Sequence, residues 1–372
     1  MTGDADFEIF LVATPGLEAQ LCAEAKSIGF GNPKQVPGGV IVRGGWRDVW
    51  HANLELRGCG KVLARIGAFR VMHLAQLDKR ARKFPWGEYL RKDVPVLVEA
   101  SCSRSRIYHS QAAAQRIARA ISEEFGAQVT PDAEVVIKAR ILDDLCTISV
   151  DTSGELLHKR GHKQGVGKAP MRETMAALLL RACGFDGVEP LVDPMCGSGT
   201  FVIEAAEIAA GLQPGRERRF AFEDLAGFDE ATFRAMRLSG PRRTPPASYH
   251  GSDRDAGAVQ QAQENARRAG VSAFTQFRCQ TISALVPPEG PAGLVIVNPP
   301  YGARIGEKKP LFALYGALGQ VLRNRFSGWR VGLITTDASL AGATGLPFLP
   351  PGPPILHGGL KVKLFLTGNL QS

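Results

Sequence analysis

The run Val192-Asp193-Pro194-Met195-Cys196-Gly197-Ser198-Gly199-Thr200 constrains the chain more than any other stretch. It ends a short apolar segment and opens a helical pattern, so a strand passes through a glycine-rich turn into a helix. The same alternation surrounds it: helix 171–183, strand 191–193, helix 199–210, strand 248–253, helix 255–269, strand 294–300, helix 311–326 and strand 330–336. Short apolar strands separated by helices require a largely parallel sheet covered on both faces. Residues 359–368 (GLKVKLFLTG) offer that sheet an antiparallel partner, and 213–247 interrupts the alternation as an insertion. In such sheets ligands bind beyond the carboxyl ends of the strands, where the strand order reverses.

The chemistry of the turn narrows the ligand. No Lys follows the last glycine, so it is not a phosphate-binding P-loop, and the glycines lack dinucleotide spacing. Asp193 at the strand end repels a pyrophosphate and suits a ligand bearing an amine; S-adenosylmethionine, with an α-amino group, a sulfonium and no phosphate, fits. A tight turn serving packing alone is the alternative. Asp253, closing the next strand, is placed to accept from both ribose hydroxyls of an adenosine. Asp also commonly ends strands and caps helices, although Asp255 is the better cap. Cys196 has no base at a recognisable spacing and reads as a small loop residue rather than a nucleophile.

Asn298-Pro299-Pro300-Tyr301 follows the apolar strand LVIV. Two prolines stiffen the loop, so the Asn oxygen and a proline carbonyl can accept from one exocyclic amine. Tyr301 offers a face on which a flipped or single-stranded base can stack. A proline-stiffened turn with no ligand is the bland reading.

Ahead of this half lie two α+β pieces. Strand 7–13, helix 17–28, strand 40–44, helix 46–55 and strand 61–69 suit a small ferredoxin-like unit. Strand 94–101, helix 110–125 and a hairpin of 134–142 with 145–151 make the second. The expected domains are therefore 1–68, 69–155, a Gly/Lys-rich linker 156–170, and 171–372.

Charge points to a polyanion. Lys+Arg 45 against Asp+Glu 36 gives +9, and residues 57–106 alone hold twelve bases and four acids. Lys79, Arg80, Arg82, Lys83, Arg104 and Arg106 in that window are candidate RNA phosphate contacts, or else an ordinary solvated face. Arg216, Arg218, Arg219, Arg242 and Arg243 form a second basic set in the insertion, a candidate to hold RNA over the active site. Phe84 and Trp86 either stack on bases or anchor their segment. Seven scattered cysteines without a CxxC pair argue against a zinc site or disulfide framework, and the histidines show no metal-binding spacing. The acidic amino terminus and the absence of a long apolar run lead us to expect a soluble cytoplasmic protein without a membrane span. No protein partner is indicated.

Taken in order, DPMCGSGTFVIEAA, GSDRD…NARRAGV and NPPYGARIG resemble the motifs of class I S-adenosylmethionine-dependent amino-methyltransferases. The whole chain is most similar to the THUMP-containing RNA guanine-N2 methyltransferases, those of bacterial 23S rRNA above all, with tRNA enzymes as relatives. Ala169-Pro170-Met171-Arg172-Glu173-Thr174 resembles the stretch that precedes the family's cofactor loop. His158-Lys159-Arg160-Gly161 resembles its linker, and Arg104-Ser105-Arg106 with His109-Ser110 its THUMP stretch. The resemblance implies an α/β fold in which a Rossmann-like methyltransferase sheet follows a ferredoxin-like plus THUMP module. It implies S-adenosyl-L-methionine as cofactor, no metal, and RNA (23S rRNA or tRNA) as partner. The implied cofactor residues are Asp193, Pro194, Cys196, Gly197, Ser198, Gly199, Thr200, Asp253, Thr281 and Asn298; Asn298, Pro299, Pro300 and Tyr301 carry the methyl acceptor. Thr281 stands where the family usually has an Asp that reads the adenine amine, which puts cofactor affinity in doubt. The rival readings are a tRNA guanine-N2 enzyme, a DNA adenine-N6 methyltransferase, and an RNA-binding protein without catalysis.

Overall fold

The computed structural model describes residues 6–163, 171–301 and 308–371. The acidic amino terminus, the Ala169-Pro170 pair with the rest of 164–170, and the Gly302–Gly306 tail of the proline motif lie outside the described residues. In chain order the elements are β1 (Phe7–Val12), α1 (Glu18–Ser27), β2 (Lys34–Val36), β3 (Gly39–Gly44), α2 (Trp46–Glu55), β4 (Val62–Arg70), α3 (Leu74–Arg82), β5 (Val96–Ser103), α4 (Ser110–Ala120), β6 (Val135–Leu142) and β7 (Leu145–Asp151). There follow α5 (Glu173–Ala182), β8 (Leu191–Asp193), α6 (Thr200–Ala209), α7 (Glu230–Leu238), β9 (Tyr249–Asp253), α8 (Ala256–Arg268), β10 (Thr275–Cys279), β11 (Leu294–Val297), α9 (Lys308–Arg325), β12 (Arg330–Thr335), α10 (Ala338–Ala343), β13 (Ile355–His357) and β14 (Leu360–Leu366).

The strands form two seven-stranded sheets. The first has the order β2-β3-β1-β4-β7-β6-β5, so the two α+β pieces share one continuous sheet through the antiparallel β4–β7 pair. Alternate residues of β4 (Val62, Ala64, Ile66) are buried, as a strand with one face on a core requires. The β6–β7 hairpin turns at Asp143-Asp144, both with positive φ (51° and 60°), a conformation Asp tolerates and the hairpin's twist favours. Helix α4 runs on through a π turn, 121–125, to Gly126, whose φ of 88° ends it.

The second sheet has the order β10-β9-β8-β11-β12-β14-β13. The pairs β8–β9, β9–β10, β8–β11 and β11–β12 are parallel, and β14 closes antiparallel on β12. Every residue of β11 (LVIV) is buried, as expected of a strand covered on both faces. Successive strands step one way from β8 to β10 and the other way from β11 to β12. The order therefore reverses between β8 and β11, which fixes the ligand crevice at their carboxyl ends.

The chain divides into two compact units: 1–13 with 22–157 and 215–239, and 14–21 with 158–214 and 240–372. Much of the insertion thus belongs to the first unit. Trp50 of α2 packs against Phe222, Phe228 and Phe233 with ring centroids 5.6–6.2 Å apart. Phe220 stacks on Phe222 at 5.1 Å, and the Gly215 amide donates to the Leu54 carbonyl. Phe222→Ala is expected to destabilise this unit by about 3–5 kcal/mol, the usual loss for truncating a buried Phe. Denaturant unfolding followed by tryptophan fluorescence checks it.

Candidate active site

The three motifs converge at the switch point of the second sheet. Asp193 ends β8, Asp253 ends β9, and Asn298 follows β11, the parallel neighbour of β8. The turn is fixed by hydrogen bonds to its neighbours. The Met195 amide donates to Asp193 Oδ1 (3.1 Å), the Cys196 amide to the Ser252 carbonyl (2.9 Å), and the Gly197 amide to Asp253 Oδ2 (3.1 Å). Gly197 and Gly199 adopt φ of 51° and 85°, so both lie in the left-handed region. Gly199 is tight as well: a Cβ there meets Ala262 Cβ at 3.0 Å and the Phe277 ring at 3.1 Å. Pro194, Cys196 and Thr200 are buried and Ser198 half-buried. Burial holds the Cys196 thiol well above its ordinary pKa, aided by the Asp193 and Asp253 carboxylates, so it is no thiolate nucleophile.

Asp193 is buried (2 % exposed). Burial pushes its carboxyl up to about 8; the Met195 amide offsets part of that, and the nearby Asp253 carboxylate adds to it. Asp253 does more here than end a strand: its two oxygens accept from the Gly197 and Asp255 amides, while Asp255 itself caps α8. The Gln280 amide donates to the Asp253 carbonyl (2.9 Å), which brings the loop after β10 alongside. Thr281 in that loop is exposed, and its hydroxyl pairs with that of Ser283 at 2.9 Å.

Asn298 Oδ1 is buried and accepts no hydrogen bond among the described residues. A buried acceptor left unpaired costs about 1–3 kcal/mol, and such atoms call for an explanation. Pro299 is buried, and the Tyr315 hydroxyl, shared with Thr335, reaches the Pro300 carbonyl at 3.4 Å. Tyr301 packs at the margin of the core formed by Val192, Leu311 and Tyr315, with Met195 and Ile282 beside it.

The candidate RNA contacts separate into two kinds. Lys79 and Arg80 on α3, and Lys83 just after it, are exposed and make no ion pair among the described residues. Arg82 between them is instead held by Asp78 (2.9 Å), Glu123 (2.6 Å) and Glu124 (2.5 Å), which neutralise its charge. Arg104 pairs with Asp143 at 2.9 Å and Arg106 lies 4.0 Å from Asp144, both largely exposed. Trp86 is buried, donating to the Ala81 carbonyl, so it anchors its segment rather than meeting a base. The basic set of the insertion also divides. Arg218 bonds the Glu155 and Leu156 carbonyls and lies over the Phe220 ring, and Arg219 pairs with Asp224 and Glu134, all within the first unit. Arg242 and Arg243 alone of the five remain exposed without an ion pair among the described residues. No group of three or more His, Cys, Asp or Glu among the described residues is placed to hold a metal, and no described helix is long and apolar enough to cross a membrane.

Residues 160–346, half of the chain, match the family model of the RMKL-like methyltransferase domain. The chain belongs to that family. Ahead of its methyltransferase domain, residues 8–63 match the RlmL ferredoxin-like domain and 73–151 the THUMP domain. A relative in Psychromonas ingrahamii, the ribosomal RNA large subunit methyltransferase K/L, is 32% identical over 352 residues, 91% of this chain and 47% of that protein. This RMKL-like chain thus spans about half the length of the curated relative it matches. Among solved structures, SMU.472, described as a candidate methyltransferase and solved with S-adenosylhomocysteine (SAH), aligns with a TM-score of 0.88 and 26% identity over 99% of both chains. A protein of Listeria monocytogenes, described as a predicted N6-adenine-specific DNA methylase, aligns with a TM-score of 0.88 and 28% identity over 98% of this chain and 96% of that one. The α/β class and the ferredoxin-like, THUMP and methyltransferase succession expected from the residues are those of this family.

Proposed function

We propose that the chain methylates an exocyclic base amine in RNA, guanine N2 of 23S rRNA, with S-adenosylmethionine as methyl donor, in the cytoplasm where ribosomes are made. The observation that carries this reading is the buried Asn298 Oδ1 at the switch point, which has no hydrogen-bond partner among the described residues. It is an acceptor held ready for a donor that the described chain does not supply. The site also fits the cofactor: a buried carboxyl at Asp193 with no cationic partner among the described residues, and a glycine turn in which a side chain at 199 has no room. Asp193 and the 194–200 turn would hold the methionine end, Asp253 the ribose, and the loop carrying Thr281 the adenine. Bound there, the cofactor supplies an electrophilic methyl group on a sulfonium.

The chain's own contribution is positional and electrostatic. Asn298 Oδ1 and the Pro299 carbonyl accept the two amine hydrogens, hold the nitrogen in line, and stabilise the positive charge that develops on it. The prolines limit how far that loop can relax. Lys79, Arg80, Lys83, Arg104 and Arg106 serve as phosphate contacts, which place the RNA without reading its sequence. The rRNA named for the Psychromonas relative and the THUMP match support this choice of substrate.

The deciding experiment incubates the protein with labelled S-adenosylmethionine and, separately, 23S rRNA, tRNA or duplex DNA, followed by nucleoside mass spectrometry. N2-methylguanosine in 23S rRNA is expected. Methylation of tRNA alone transfers the assignment to that RNA, methyladenine in DNA overturns it, and no transfer to any of the three removes the catalytic reading.

Binding should also depend on pH in a definite direction. An ammonium beside Asp193 lowers the carboxyl's pKa, so binding below about pH 8 releases a proton. Affinity for SAH is therefore expected to rise with pH, by at most about tenfold per unit, and to level off near 8. Calorimetry at pH 6, 7 and 8 measures this, and a flat profile removes Asp193 from the ligand set.

A further inference from the structure

Residues 158–163, read as part of the linker 156–170, are built into the second unit. Arg160 is buried (1 % exposed) and pairs with Glu204 and with Glu207 (3.2 Å), both buried on α6. Three residues on, Lys163 Nζ donates to Thr200 Oγ1 (2.9 Å) and to the Met171 carbonyl (2.8 Å), with the Glu173 carboxylate 3.6 Å away. Thr200 is the last residue of the cofactor turn and the first of α6. From the other side, Asn265 of α8, 1 % exposed, donates to the Ser198 carbonyl at 3.0 Å. Arg268, one turn further along α8, bonds Asn265 Oδ1 (2.6 Å) and the His162 carbonyl (2.7 Å). His162 adjoins Lys163, so the bonds close on themselves: Lys163 to Thr200, back along the turn to Ser198, then Asn265, Arg268 and His162.

We propose that Lys163 and Asn265 are positioning residues for cofactor binding, which clamp residues 198–200 in the conformation that receives the methionine end. The physical case is accessibility and direction. The Gly197-Ser198-Gly199 backbone has left-handed torsions at both glycines and is free by composition to take others. Neither Lys163 nor Asn265 needs to touch the ligand, since each holds an oxygen of the turn. The bonds are charge-assisted at Lys163 and Arg268, which makes them the strong ones of the circuit. A clamped turn loses no conformational freedom on binding, and that is where the affinity arises. The 158–163 segment is thereby part of the methyltransferase unit and not a spacer ahead of it.

This inference rests on the cofactor reading, and one set of measurements separates the two. SAH affinity is measured by calorimetry on the wild-type chain and on Lys163→Met, Lys163→Arg, Asn265→Ala and the double variant Lys163→Met/Asn265→Ala. Thermal unfolding without ligand is recorded for each. Lys163→Met and Asn265→Ala are each expected to weaken SAH about tenfold, and Lys163→Arg to recover part of the loss. The double variant should bind no more than about threefold worse than the weaker single one, because both act through one turn. With saturating S-adenosylmethionine, kcat and the KM for RNA stay within about threefold of wild type. A folded Lys163→Met that binds SAH within threefold of wild type overturns the clamp, as do losses that multiply in the double variant. If Lys163→Met does not fold, Asn265→Ala decides on the same threefold threshold. Failure of the wild-type chain to bind SAH overturns both the clamp and the cofactor reading.

Discussion

Asn298→Ala is expected to lower the rate of methyl transfer about a thousandfold while SAH binds within about twofold of wild type. The removed oxygen is one of two acceptors for the target amine, and it acts where positive charge develops. Loss of one preorganised group of this kind costs about 10²–10³ in rate, near 3–4 kcal/mol of barrier. Asn298 Oδ1 is buried without a partner among the described residues, so Ala relieves an unsatisfied acceptor and should not destabilise the fold. Lost activity would then coincide with an unchanged or raised melting temperature, the reverse of what a structural Asn gives. Asn298→Asp keeps an acceptor and should fall between the two. Single-turnover kinetics with the target RNA, beside calorimetry with SAH, separates chemistry from binding; undiminished turnover in Asn298→Ala would remove this loop from the reaction.

Asp193→Asn should move stability and binding in opposite directions. In the folded chain Asp193 titrates at about 8, against an unfolded carboxyl near 3.8, with burial as the main cause. The native state therefore holds a proton that the unfolded state has lost throughout that window. Stability of the apo protein falls as pH rises from about 4 towards 8, and the deficit is complete above 8. Asn has the same shape, still accepts from the Met195 amide, and carries no charge to desolvate. The variant is expected to melt several degrees higher than wild type at pH 8.5 and to match it at about pH 4. It should also lose SAH affinity by at least about a hundredfold, having no anion for the ammonium. Calorimetric melting across pH 4–9 checks the first part. A variant as pH-sensitive as wild type would show that Asp193 is not the group responsible.

What could be read from the chain alone follows from how local each signal is. The cofactor turn and the proline loop are contiguous, and each follows a buried apolar strand, so residue type and order sufficed for both. Helix α2 is observed over Trp46–Glu55, the bounds expected from the residues. β10 escaped notice because it is the sheet edge: Gln276, Arg278 and Cys279 are exposed and leave no apolar alternation. α3 was hidden because only Leu77 and Ala81 of its nine residues are buried. The role of Arg82 could not be seen in a basic run, since Glu123 and Glu124 lie 41 and 42 residues further along. The clamp on the turn was hidden for the same reason: Lys163 and Thr200 are 37 residues apart, Asn265 and Ser198 are 67 apart. Chemistry written in consecutive residues is legible in the chain; support assembled by the fold is not.

The aromatic packing around Trp50 has a consequence for how the molecule is made. The rings that cover this tryptophan come from residues 222–233, more than sixty residues beyond β7, the last strand of the sheet in the same unit. A nascent chain that has just completed β7 still lacks them, and 158–214, the part of the second unit that carries the glycine-rich turn, must be synthesised before they arrive. Order of synthesis and order of folding are therefore out of step. A protease cut or a gene boundary placed near residue 157 would release a front fragment with an open apolar face, prone to self-association. Neither unit is a single contiguous stretch of the chain.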